Sequence, residues 1–198
     1  VVTVFQDAPG STPLDPDEAA GLLPKHITSQ ADLNAWEQNN ILQGREWAQQ
    51  TRQRKRDFLN EGFIRELHQR MFGDTWKWAG TFRSSDKTIG VAWEQIAVQL
   101  RDLLDNIQHQ KDNNIYAADE LAIRFHHRLV WIHPFPNGNG RHSRLMAELL
   151  VTQLGGLAFS WGGGADLVST GAARERYLNA LREADAGAVD SLITFARD

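Results

Sequence analysis

The sequence has no cysteine. That absence removes disulfide scaffolds, thiolate zinc sites and cysteine nucleophiles together. It has no apolar run of spanning length, so a transmembrane helix is not expected. Its opening residues show no basic segment followed by an apolar core, so no secretory leader is expected and a cytoplasmic setting is the default. Excess positive charge is missing too. The formal net charge is −4, whereas proteins that coat nucleic acid are usually basic. Direct nucleic-acid binding is therefore not expected, and the one basic run, Arg52 to Arg56, reads as a solvated helix face. The histidines at 126, 127, 133 and 142 lack the His-Glu-x-x-His spacing of a helical metal site, so His126 and His127 read as packing or surface residues.

What is present is apolar and aromatic. Seven Trp and nine Phe in 198 residues supply more apolar surface than a disordered chain carries, and the length suits one domain with a short appendage. Residues 1 to about 30 hold prolines at 9, 13, 16 and 24. They read as an extended arm with one short turn at Pro16 to Leu23. Helical spacing predicts helices from Ser29 to about Arg54, from about Asn60 to Gly73, from Ile96 to Ile107, from Ala118 to Ile132, from about Arg141 to Leu154, from about Ala172 to Ala184 and from Val189 to Arg197. Residues 74 to 94 mix Trp, Phe, Thr, Ile and Val around Ser-Ser-Asp-Lys, which predicts two short strands flanking a polar turn. The fold class is all-α with one small β-hairpin.

Chemistry concentrates in HPFPNGNGRHSR, residues 133 to 144. Pro134 disfavours the α conformation at His133, so a helix must end there. Asn137-Gly138 and Asn139-Gly140 tolerate positive φ. A tight loop that opens a helix gathers backbone N–H groups into an anion nest at the positive end of the helix dipole. Arg141 and Arg144, three apart, sit on the first turn and can grip further phosphate oxygens. His133 is the nearby side chain able to take a proton near neutral pH. A nest, two arginines and a base point to transfer of a phosphate-linked group onto a nucleophile.

At these residues the chain resembles the Fic family, whose signature is His-x-Phe-x-Asp/Glu-Gly-Asn-Gly/Lys-Arg-x-x-Arg. Seven of its eight specified positions match: His133, Phe135, Gly138, Asn139, Gly140, Arg141 and Arg144. The stretch from Trp78 to Gly90 is similar to the family's flap hairpin, and Tyr177 to Phe195 to its C-terminal helices. The resemblance implies a Fic-type helical bundle over residues 58–198, preceded by an N-terminal arm and a helix over 1–57. The whole chain is similar to the subgroup called mobile mystery protein B, which implies a paired helix-turn-helix regulator in a bacterial host. A homo-oligomer is compatible with the sequence.

The resemblance also implies a reaction: AMP moves from ATP to a Ser, Thr or Tyr hydroxyl of a target protein. By similarity, His133 is the base, Gly138, Asn139 and Gly140 cradle phosphates, and Arg141 and Arg144 hold the β- and γ-phosphates. Phe135 anchors the loop. The flap, Ser84, Ser85, Asp86, Lys87, Thr88, Ile89 and Gly90, would take the target backbone as an added strand. Tyr177 stands at the base pocket, followed by Leu178 where relatives often carry a second Tyr. Asn137 stands where the family places an acidic Mg2+ ligand; its amide oxygen can coordinate but adds no negative charge. This departure leaves open a nucleotide-binding module without turnover, or transfer of a different phosphate-linked group. Glu37, on the helix before the bundle, is the candidate inhibitory residue, expected to pair with Arg144.

Overall fold

The computed structural model describes residues 14–53, 57–164, 167 and 171–198, with the backbone alone at 51–53. Expectations for residues 1–13 and for the side chains of the basic run lie outside the described residues. Within them the chain is all-helical: α1 (Pro16–Ala19), α2 (Gln30–Gln53), α3 (Glu61–Phe72), α4 (Ile96–Asp112), α5 (Ala118–Ile132), α6 (Asn139–Gln153), α7 (Ala172–Asp185) and α8 (Asp190–Arg197), with a 3₁₀ turn at Trp93–Gln95 before α4.

Local chemistry sets the ends that matter. Asn60 caps α3, its side chain accepting from Phe63 N–H at 2.9 Å, which satisfies an otherwise orphaned donor. His133 closes α5 in the left-handed conformation, φ 55°. Gly138 precedes α6 at φ 78°, and a Cβ there would stand 2.6 Å from the Phe72 ring. Glycine is thus required at 138 by both conformation and space.

Helix α6 is the central element. Leu145, Met146, Ala147, Leu149, Leu150 and Val151 are all buried, so it is apolar around most of its circumference, as an enclosed helix must be. It packs against α5 on one side and against α2 and α3 on the other; α4 covers α5, and α7 and α8 pair beyond it. Phe135 reaches into the core with no exposed surface, in the anchoring place that the family resemblance implies.

The expected hairpin at 74–94 forms no strand among the described residues. The segment is a string of turns, and one buried guanidinium explains it. Arg83 donates from Nε to the His133 carbonyl at 2.8 Å, from Nη1 to the Ser85 carbonyl at 2.8 Å and from Nη2 to the Val91 carbonyl. Carbonyls on both limbs are thereby taken by a side chain rather than by cross-strand amides. The segment is tied instead to the loop beneath it, through Arg83 N–H to Pro134 O (3.0 Å) and Val91 N–H to Ile132 O (3.4 Å). The only extended pairing is a single bridge between Leu22 and Trp76 among the described residues, where the arm runs along the base of this segment.

Candidate active site

The loop between α5 and α6 opens into a cavity of about 190 Å3. His133, Asn137, Gly138, Asn139, Gly140, Arg141, Arg144 and Tyr177 all line it, with Ile89, Val130, Leu178 and Leu181 as apolar walls. Every residue of the 133–144 segment singled out by sequence is therefore brought together, except that Phe135 points away as an anchor.

The loop is held from inside. Asn139 accepts from Phe135 N–H at 2.9 Å and donates to Phe135 O at 2.8 Å, so its side chain braces the loop and only its backbone is left to face the cavity. His68 accepts from Gly80 N–H at 3.0 Å through Nδ1, which leaves Nε2 as the N–H donor to Asn137 O, also 3.0 Å. It stacks on Phe135 with ring centroids 3.7 Å apart. Its full burial, helped by the nearby His142, pushes its pKa well below the usual imidazole value, which keeps it neutral as this bonding pattern requires. Nothing in the sequence marked His68 out.

His133 is nearly enclosed. Burial lowers its pKa to about 4, against a hydrogen bond to Val130 O that raises it. With Nδ1 bonded to that carbonyl at 3.2 Å, Nε2 is the nitrogen that carries the lone pair. Gly90 of the flap lies directly over it: a Cβ there would stand 2.7 Å from His133 Cβ, at φ 102°.

The arginines have different surroundings. Arg141 donates to Glu37 at 2.6 Å and to Asn137 Oδ1 at 3.3 Å, and lies over the Phe72 ring. Glu37 thus pairs with Arg141, not with Arg144 as expected. The reason is geometric. Trp76 Nε1 donates to the other Glu37 oxygen at 2.6 Å and holds the carboxylate on the α2 side, which Arg141 faces. Arg144, three residues on, instead lies over the Tyr177 ring at 5.4 Å. Tyr177 is buried and its hydroxyl meets His126 Nε2 at 3.0 Å. His127, the other histidine of that pair, faces Asp185 at 2.8 Å on the half-buried surface.

The flap residues Ser84, Asp86, Thr88, Ile89 and Gly90 are exposed, with Ser85 and Lys87 half-buried. Lys87 is clasped by Asp15 at 2.7 Å and Glu18 at 2.6 Å, so the arm reaches the flap, a contact with no sequence signal.

The segment that builds this cavity falls within a stretch similar to a known family. A family model described as Fic/DOC family matches residues 58–151. Over that stretch, which contains the 133–144 loop, the chain is similar to this family. Among curated relatives, the protein adenylyltransferase fic-1 of Caenorhabditis elegans is 31% identical over 107 residues, 52% of this chain and 21% of that protein. A probable protein adenylyltransferase of Aquifex aeolicus is 30% identical over 90 residues, 46% of this chain and 24% of that protein. The chain thus spans about a fifth to a quarter of the length of these relatives. Solved structures share the fold. A Fic domain containing signaling protein from Bacteroides thetaiotaomicron superposes with TM-score 0.63 at 23% identity, over 81% of this chain and 65% of that one. BepC of Bartonella tribocorum, solved with bound AMPPNP, gives 0.66 at 16% identity, over 93% and 97%. Among the described residues no helix is long and apolar enough to cross a membrane.

Proposed function

We propose that this Fic domain is a protein adenylyltransferase that moves AMP from ATP to a Ser, Thr or Tyr hydroxyl of a target protein. The observation that carries the reading is the convergence of His133, the 137–140 amides, Arg141 and Arg144 on one cavity. The names of the curated relatives and the AMPPNP bound by BepC support it.

In this reading the triphosphate lies on the nest at the start of α6. The apolar walls, with Tyr177 and Leu178, take the base. His133 Nε2 accepts the hydroxyl proton as the oxygen bonds to the α-phosphorus; the bond to the bridging oxygen breaks and pyrophosphate leaves with its electron pair. A resting pKa near 4 leaves the imidazole neutral and able to accept. The negative phosphates beside it raise its basicity once bound. Arg144 and Arg141 stabilise charge that develops on the leaving group. Arg141 must first part from Glu37, so α2 acts as a built-in inhibitor.

Mg2+ belongs to this proposal as a companion of the phosphates. No carboxylate lines the cavity among the described residues, and no three His, Asp or Glu side chains converge on a site there. Asn137 offers one neutral oxygen, which fits an ion held mainly by phosphate and water. Asn137 would hold it through Oδ1, which here accepts from Gly138 N–H at 2.6 Å and from Arg141 at 3.3 Å and would have to part from Arg141, and the ion would neutralise phosphate charge. The same residue favours a second reading, a module that binds nucleotide without turnover or transfers another phosphate-linked group.

The remaining expectations stand as part of the proposal: an arm and inhibitory helix at 1–57 with the Fic domain at 58–198, the mobile mystery protein B subgroup with its paired regulator, a bacterial cytoplasmic setting, and the flap as the docking strip for the target.

Purified protein incubated with labelled ATP and Mg2+ tests the reaction. Label on itself or on lysate proteins, abolished by His133→Ala, supports it, and the added mass identifies the group. No label from any of the four nucleotides, or label that survives His133→Ala, overturns it.

A further inference from the structure

We propose that Tyr177 and His126 are positioning residues for Arg144, a buried relay that sets the guanidinium before the phosphates arrive. The inference rests on the adenylyl-transfer reading only for what Arg144 then binds.

The two site arginines are held by different means. Arg141 has a carboxylate, an amide oxygen and a ring. Among the described residues Arg144 has no carboxylate within 4.0 Å. What it has is the face of Tyr177, 5.4 Å from its guanidinium carbon, and the influence of its charge and hydrogen bonding on that hydroxyl, which opposes the effect of burial. Glu148, one turn on, feels the charge of Arg144 but is paired with Arg45, so Arg144 stays available to an anionic ligand, while the ring restricts a long and otherwise mobile side chain. A group held before binding loses less freedom on binding.

Tyr177 is fixed in turn. Its hydroxyl lies 3.0 Å from His126 Nε2, and its ring packs 5.6 Å from that of Phe195. His126 has no exposed surface and packs 4.8 Å from Trp161. Burial, aided by the charge of Arg144, lowers its pKa to about 3, so it stays neutral at any working pH. A neutral Nε2 that accepts from the Tyr177 O–H turns the hydroxyl lone pairs toward Arg144. A backbone hydrogen bond with Ser143 opposes the effect of burial on this ring; an imidazole so enclosed is still a costlier filler for a core than a leucine, and the relay supplies a reason for it.

Two measurements on the full chain test the relay. The first is the Nε–H proton signal of Arg144, assigned by its loss in Arg144→Lys. The second is ATP affinity by calorimetry. Tyr177→Phe keeps the ring and removes the hydroxyl. It is expected to broaden the Arg144 signal beyond detection, leave that of Arg141 in place, and weaken ATP about five- to tenfold, the worth of one charge-assisted hydrogen bond. His126→Gln, which can still accept the hydroxyl proton, should stay within about twofold of wild type, and His126→Phe should follow Tyr177→Phe. Tyr177→Phe with a sharp Arg144 signal, or with unchanged affinity, overturns the relay. If the wild type binds no ATP, the adenylyl-transfer reading fails, and the Arg144 signal alone still decides the relay.

Discussion

Glu37 Oε2 lies 2.6 Å from Arg141 Nη1, in a pair where the carboxylate is nearly enclosed and the guanidinium lines the cavity. In the proposed reaction an incoming phosphate competes with that carboxylate for the same donor. Glu37→Gly removes the competitor and is expected to raise self-labelling about tenfold or more, since a fully formed pair of this kind holds on the order of 1–3 kcal/mol. The stability of the fold should drop by a similar amount, because Trp76 Nε1 and Arg141 both lose an acceptor. Unchanged labelling would remove Glu37 from any inhibitory role.

Acid should unfold this protein early. His133 and His142 are lowered to about 4 and His126 to about 3, all chiefly by burial, against an ordinary value of 6.5, and His68 is lowered well below it. Each binds protons more weakly folded than unfolded, so between pH 6.5 and 4 the unfolded chain holds more protons and stability rises with pH. The contribution is complete above about pH 6.5 and is lost as pH falls toward 4. Each group adds at most about 1.4 kcal/mol per pH unit in that window. Urea denaturation at pH 7 and pH 5 should show a large drop; equal midpoints would contradict the burial of these rings.

Arg83 carries the flap. Replacing it with Ala strips a donor from the carbonyls of His133, Ser85 and Val91, and a loss of about 2–4 kcal/mol follows. Amide exchange should quicken at residues 84–91 before the helices are affected. Exchange that rises uniformly over the whole chain would mean that Arg83 supports the core rather than the flap.

Gly90 should resist substitution more than its backbone angle alone requires. Ala at 90 would meet His133 Cβ at 2.7 Å and Arg83 Nη2 at 2.9 Å, whereas Ala at Gly187, also at positive φ (93°), would meet nothing within 4 Å. Both changes strain the backbone by about 1 kcal/mol. Only Gly90→Ala should lower labelling, about tenfold, because only it displaces the flap from the imidazole. Equal labelling by the two variants would show that the close approach has no functional weight.

The sequence was most readable where backbone chemistry is restrictive. Pro134 narrows what His133 can adopt and Gly138 is free to take the left-handed turn, so the turn between α5 and α6 and its meeting with Arg141 and Arg144 follow from residue types alone. Side-chain partners were less readable. Arg141 and Arg144 differ by about 60° around α6, which suffices to send one to Glu37 and the other to Tyr177, and no local pattern records which. The flap misled for a related reason. Alternating Thr, Phe, Ile and Val around a polar turn has the signature of a hairpin, but an arginine that folds inward to take carbonyls has the same letter as one in solvent. The early start of α6, at Asn139 rather than Arg141, has its cause in the same loop, since Gly138 completes the turn sooner than the arginines suggest.

Asn139 spans Phe135 with both ends of one amide, closing a ring of five consecutive residues. Such a ring does not tolerate a change in the number of residues that it encloses. An insertion or deletion between 135 and 139 would unhook the amide and disperse the nest, so in this loop the spacing of residues is constrained as firmly as their identities.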